Sequence, residues 1–170
     1  YVNLVGGQDE LIFDGGSMVI AADGSVVAQS SMFDEKVLIA DFAVGDERPS
    51  ETEPITVTER SSASLVGLPP VIEPAPDPMA ELWGALVLGT RDYVRNNGFT
   101  DICFGLSGGV DSTLVAAIAA EALGPEHVHA ILMPSRYSSE HSVTDAEKLS
   151  INLGIDYRTI AIEPAHSAML

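Results

Sequence analysis

Cysteine is nearly absent: Cys103 is the only one in 170 residues. That excludes an internal disulfide framework and fits a reducing, cytoplasmic setting. Positive charge is scarce too. Eight Lys and Arg stand against 25 Asp and Glu, a formal net charge of −17, which disfavours nucleic acid or an anionic membrane as a partner. No apolar run approaches the roughly 20 residues that cross a bilayer. The start shows no signal-peptide pattern, and the first residue is Tyr1 rather than Met. His127, His129, His141 and His166 lack metal-ligand spacing and read as surface or strand residues. What is plentiful is hydrophobic side chain, at 46%, enough to build a core for one domain or two small ones.

That apolar content is unevenly placed. Residues 1–42 read as β-rich. Ser17–Ile20 and Val26–Ala28 flank Ala21–Ser25, whose Asp23-Gly24 pair is a strong hairpin signal. Val37–Ala40 is a further strand candidate, with Phe42 just beyond it. Residues 43–78 are dominated by Glu, Ser, Thr and Pro and close on Pro69, Pro70, Pro74, Pro76 and Pro78. Such a composition suits an acidic linker, partly extended, or equally an ordered strap across a neighbour.

From residue 79 onward helix and strand alternate. Met79–Asn97 reads as a helix with Leu82, Ala85, Leu86, Leu88 and Val94 as its apolar stripe, ended by Asn97-Gly98. Ile102–Phe104 is an apolar run suited to a strand covered on both faces, with Cys103 as a small buried hydrophobe. Val128–Met133 and Ile155–Ile160 are the next strands. Ser142–Asn152 is the helix between them, with Ser142 or Thr144 as cap. This order implies an α/β fold with a parallel sheet and right-handed crossovers. Ligands of such sheets bind at the carboxyl ends of the strands, where Ser107–Ser112 and Ser135–Ser139 both fall.

The first of those turns carries the chemistry. Gly105-Leu106-Ser107-Gly108-Gly109-Val110-Asp111-Ser112 joins the first of these strands to an alanine-rich helix, for which Ser112 is a plausible N-cap. Its glycines allow a sharp bend and close approach to the backbone. The helix aims free N–H groups and its positive dipole end at the turn, a ready anion site. The turn has no lysine, so it is not the lysine-bearing phosphate loop. Asp111 would repel a bare phosphate, but makes sense if Mg²⁺ stands between the carboxylate and the phosphates.

The string Ser107-Gly108-Gly109-Val110-Asp111-Ser112 resembles the pyrophosphate loop of the ATP pyrophosphatase superfamily. Three further pieces sharpen the resemblance: Met133–Ser139 after the second strand, Asp145–Leu149 with Leu153–Ile155, and Tyr1–Glu10 with Phe13–Ser17. The last is similar to the closing strands of a nitrilase-type glutaminase. Together they resemble the glutamine-dependent NAD⁺ synthetase family.

The resemblance implies a Rossmann-like nucleotide-binding domain over residues 79–170, the end of a nitrilase-like αββα domain over 1–42, and a linker over 43–78. It implies a ligase that adenylates deamido-NAD⁺ with ATP and Mg²⁺ and amidates it with ammonia drawn from glutamine, releasing AMP and pyrophosphate. Gly105, Leu106, Ser107, Gly108, Gly109, Val110, Asp111 and Ser112 would hold ATP, with Asp111 on the metal. Homo-oligomers are implied as well. The family's Cys-Lys-Glu glutaminase triad is missing from these residues. An internal fragment without glutaminase activity, and without complete synthetase activity alone, is therefore expected. The other readings are a different ATP-pyrophosphatase amidotransferase, such as a GMP or asparagine synthetase, or a non-catalytic nucleotide-binding module. Arg136 could touch a nucleotide or stand in a salt bridge. Gln8, Asp9 and Glu10 suit either a glutaminase pocket or ammonia route, or a solvated turn. Trp83 suits a core or interface.

Overall fold

A computed structural model describes residues 1–41, 55, 67 and 69–169. Turn chemistry shapes its first part. Strands Val5–Gln8 (β1) and Leu11–Asp14 (β2) pair antiparallel across a tight turn in which Asp9 takes a φ of 51°, a conformation aspartate tolerates better than most residues. Met18–Ile20 (β3) and Val26–Gln29 (β4) form the expected hairpin. The Asp23 carboxylate accepts from the Ser25 amide at 2.9 Å and its hydroxyl at 2.7 Å, closing the turn.

Val37–Ala40 is not a strand. The edge of β4 is taken instead by residues 71–73. The Gln29 N–H donates to the Val71 carbonyl at 2.9 Å, and the Glu73 N–H donates to the Gln29 carbonyl at 3.1 Å. Of the expected linker, 43–54, 56–66 and 68 lie outside the described residues, as does Phe42.

Helix Pro78–Asn96 (α1) begins where Asp77 accepts from the amides of Met79 and Ala80 at 2.9 and 3.0 Å, with Pro78 in the first turn. It ends at Asn97, followed by Gly98 with φ 78°. The stripe expected along it is only partly used. Leu88 and Val94 are buried, but Leu82 and Leu86 are 55% and 41% exposed. The reason is that α1 packs on two sides. Toward β1 and β2, a Cβ on Gly89 would lie 2.6 Å from Ile12 Cδ1, so the glycine makes room for the isoleucine. There the Gly7 N–H donates to Asp92 Oδ2 at 2.8 Å and Asn96 Nδ2 donates to the Gly7 carbonyl at 3.3 Å. Toward the next helix, Trp83 Nε1 donates to Glu121 Oε2 at 2.9 Å.

Ile102–Gly105 (β5), Val128–Leu132 (β6) and Asp156–Thr159 (β7) form a parallel sheet in that order. Val110–Leu123 (α2) and Glu140–Leu153 (α3) are the crossovers, and Glu163–Met169 (α4) follows β7. Ala116 and Ala119 of α2 and Ala146 of α3 pack with Leu106, Val128, Ala130, Leu132 and Ile155. Alanines let the helices lie close on the sheet.

The core lies on one face of that sheet. Ile102 and Phe104 point into it, whereas Cys103, expected to be buried, is exposed on the other face. An apolar trio reads alike whether one face is covered or two. The cap of α3 also differs from expectation. It is Ser139, whose hydroxyl accepts from the Ser142 amide at 3.1 Å, so the helix starts at Glu140 rather than Ser142.

Leu132 is 1% exposed at the centre of this core. Leu132→Ala is expected to lower the unfolding free energy by about 2–5 kcal/mol, measured by urea denaturation with an unchanged slope.

Candidate functional site

The loop after β5 starts as a continuation of the ladder: the Leu106 N–H donates to the Ile131 carbonyl at 3.0 Å, and Leu106 is buried. Beyond it the chain leaves the sheet and is tied by two hydroxyls. Ser112 Oγ accepts from the Ser107 N–H at 3.3 Å, donates to the Gly109 carbonyl at 3.1 Å and lies 3.1 Å from Ser107 Oγ. Gly109 N–H donates to Ser107 Oγ at 3.4 Å.

Gly108 sits at φ 75°, and a Cβ there would lie 2.2 Å from the Ser142 carbonyl oxygen. The loop backbone thus rests directly on the first turn of α3. No residue but glycine meets both demands, the left-handed backbone and the contact.

Helix α2 starts at Val110 with Gly109 as N-cap, so Ser112 is its third residue and not its cap. Glycine offers no side-chain acceptor, and among the described residues no side chain caps the amides of this first turn. The Ser112 hydroxyl is spent on the loop itself. Asp111 stands exposed in the same turn, with no hydrogen-bond or ion-pair partner among the described residues.

Beside this turn opens a cavity of about 210 Å³. Gly105, Leu106 and Ser107 form one wall, Leu132, Met133 and Pro134 the back, and Ser138, Ser142 and Val143 the other side. It lies at the carboxyl ends of β5 and β6, as the topology requires. Of the eight residues singled out in the sequence, Gly105, Leu106 and Ser107 line the cavity. Gly108 seals the loop to α3, and Gly109, Val110, Asp111 and Ser112 form the adjoining start of α2. Leu132, Ser142 and Val143 also line it, and nothing in the sequence marks them as cavity residues. The Ser142 contact joins positions far apart in the chain and leaves no local signal.

Arg136 takes the salt-bridge option. Its Nε donates to Glu163 Oε1 at 2.7 Å, its terminal nitrogen binds the same oxygen, and its N–H donates to Oε2 at 3.3 Å. The guanidinium holds the Glu163 carboxyl below its ordinary range. Gln8 and Asp9 line a separate cleft between β1 and α1, together with Asp92 and Asn96.

Comparison with known proteins matches this architecture. The NAD synthase family model covers residues 82–170, just over half of the chain. The chain belongs to the NAD synthase family.

The glutamine-dependent NAD(+) synthetase of Thermotoga maritima is 42% identical over 176 residues, covering 95% of this chain and 31% of its own. That of Synechocystis is 46% identical over 164 residues, covering 96% and 26%. Among solved structures, glutamine-dependent NAD+ synthetase from Acinetobacter baumannii in complex with ADP superposes with a TM-score of 0.78 at 36% identity, over 99% of this chain and 29% of that one. NH3-dependent NAD synthetase from Campylobacter jejuni gives 0.50 at 32% identity, over 53% and 39%. The chain spans between 26% and 31% of these two curated relatives.

In this NAD synthase chain the contact at Gly108 is expected to be intolerant of any side chain. Gly108→Ala should lower stability by at least about 1 kcal/mol from the left-handed backbone alone. It should also shift the amide resonances of residues 139–143 along with those of the loop. Shifts confined to the loop would contradict the contact.

Proposed function

We propose that residues 79–170 form the ATP-binding part of a glutamine-dependent NAD⁺ synthetase, joined through residues 43–78 to the closing strands of a nitrilase-like glutaminase at 1–42. The observation that carries this reading is the loop Gly105–Ser112. It places helix amides without a side-chain cap, and a carboxylate without a partner among the described residues, beside a cavity at the strand ends. The likeness over 99% of this chain to a glutamine-dependent enzyme solved with ADP supports it. The likeness to an ammonia-dependent one covers only 53%, which agrees with an additional upstream part. GMP and asparagine synthetases are not favoured by any of these relatives.

In the proposed reaction a carboxylate oxygen of deamido-NAD⁺ attacks the α-phosphorus of ATP, and pyrophosphate leaves. Ammonia, released from glutamine elsewhere in the enzyme, then attacks the acyl carbon, and AMP leaves. The first-turn amides of α2 would hold phosphate oxygens as charge gathers on the departing pyrophosphate. Ser107 and Ser112 keep the loop in the shape that aims those amides. Leu106, Leu132 and Val143 exclude water from the cavity's inner wall.

The residues present fit a magnesium ion carried in on the nucleotide. No group of three or more His, Cys, Asp or Glu side chains converges among the described residues, so these offer no cage of their own. Asp111 supplies one free carboxylate, and Mg²⁺ is commonly bound by one or two carboxylates plus substrate phosphates. When bound, the ion would neutralise phosphate charge.

Protein carrying this sequence in its full reading frame, given ATP, Mg²⁺, deamido-NAD⁺ and either ammonia or glutamine, is expected to yield NAD⁺ and AMP. ADP in place of AMP would reject the assignment. Asp111→Asn is expected to lower kcat/KM for Mg·ATP at least about tenfold, with the fold intact by circular dichroism. Unchanged turnover would remove Asp111 from the metal role.

A further inference from the structure

On the sheet face turned away from the core, at the end opposite the cavity, His129 of β6 lies between two carboxylates. Its Nε2 is 3.2 Å from Asp101 Oδ1, just before β5, and its Nδ1 is 3.3 Å from Asp156 Oδ2, the first residue of β7. A neutral imidazole carries one N–H and one lone pair. It can satisfy only one of these carboxylates and turns a lone pair toward the other. Only the imidazolium donates to both.

We infer that protonated His129 is a pH-sensitive clasp that ties the entries of β5 and β7 across β6, and that losing its second proton frees β5, the strand from which the Gly105–Ser112 loop hangs.

The groups facing it are few. Asp101 also accepts from Thr100 Oγ1 and lies 3.3 Å from His127 Nδ1 of the 3-10 turn Pro125–His127. Arg158 Nε is 4.0 Å from Asp156 Oδ2. Cys103, exposed, is the register partner of His129 on β5. The surroundings favour the charged form. Hydrogen bonds to Asp101 and then Asp156 raise the His129 pKa above its ordinary 6.5. Asp101, through Thr100 first and then His129 and His127, is lowered to about 2.

The signs follow from linkage. The histidine's contribution is complete below 6.5, where the unfolded chain is protonated as well. It fades as pH rises through the folded-state value. The contribution of Asp101 is present above 3.8 and fades as pH falls toward about 2. All three partners are half exposed, with side chains at 38–52%, so solvent screening keeps the effect local. It should be read in β5 rather than in global stability.

The test is a titration of the His129 ring nitrogens by NMR between about pH 5 and 9, in the intact chain. The ring is expected to titrate above 6.5 and to carry protons on both nitrogens below that transition. Asp156→Asn and Asp101→Asn should each lower that value. Hydrogen-exchange protection of the β5 amides, corrected for intrinsic rate, should fall severalfold across the wild-type titration and stay level in His129→Gln. A wild-type value at or below 6.5, or protection that does not follow the titration, would overturn the clasp. The wild-type measurements decide this even where a variant fails to fold.

Discussion

The backbone of Gly108 rests on the first turn of α3, and everything around the cavity depends on that contact. A Cβ would reach within 2.2 Å of the Ser142 carbonyl, closer than any real side chain approaches a carbonyl. Because the contact is backbone to backbone, it fixes the distance between the start of α2 and the start of α3 without any adjustable side chain. The start of α3 then lines the opening and the start of α2 adjoins it, at the carboxyl ends of β5 and β6. The Ser107–Ser112 hydroxyl pair does the finer work of shaping the turn. Its bonds are exposed and individually worth little beside the steric limit.

Helix α1 gives the chain a second point of rigidity. One side is pinned to β1 through Gly7, Asp92 and Asn96, and the other meets α2 through Trp83 and Glu121. Glycines at 7 and 89 let the strand and helix backbones come together, and Leu88 of the same helix is buried. The hairpins at the start of the chain are too small to enclose a core of their own. The first of them, β1–β2, rests on the same helix that braces α2.

How much of this can be read from sequence depends on how local each cause is. The strand–turn–helix over Asp101–Ala120 is legible because each part has a local reason: an apolar trio, three glycines and an alanine run. The Ala21–Ser25 hairpin is legible for the same reason. Failures occur where a partner decides. Val37–Ala40 has strand composition, but residues 71–73 occupy the edge of β4. Cys103 sits in an apolar run, yet only one face of the sheet is covered by described residues. Ser112 and Ser142 are both good caps, but Gly109 and Ser139 hold those positions. A cap is set by where the chain enters the helix, which the loop geometry dictates. The residues across the cavity, Ser142 and Val143, arrive through the Gly108 contact, a tertiary event with no trace in spacing.

The charge balance gives the loop its chemical character. A chain of net charge −17 repels anions at long range, and this loop has no lysine or arginine to reverse that locally. Arg136, in the loop after β6, is already matched by Glu163. What is left to attract a phosphate is the start of α2, whose amides are fixed partial charges that neither titrate nor move. A carboxylate in the same turn would defeat them unless a cation accompanied the phosphate. In the proposed reading Asp111, which has no partner among the described residues, would turn a general anion site into one selective for a metal-bearing nucleotide. On that proposal the acidic surroundings and the lysine-free loop agree with one another.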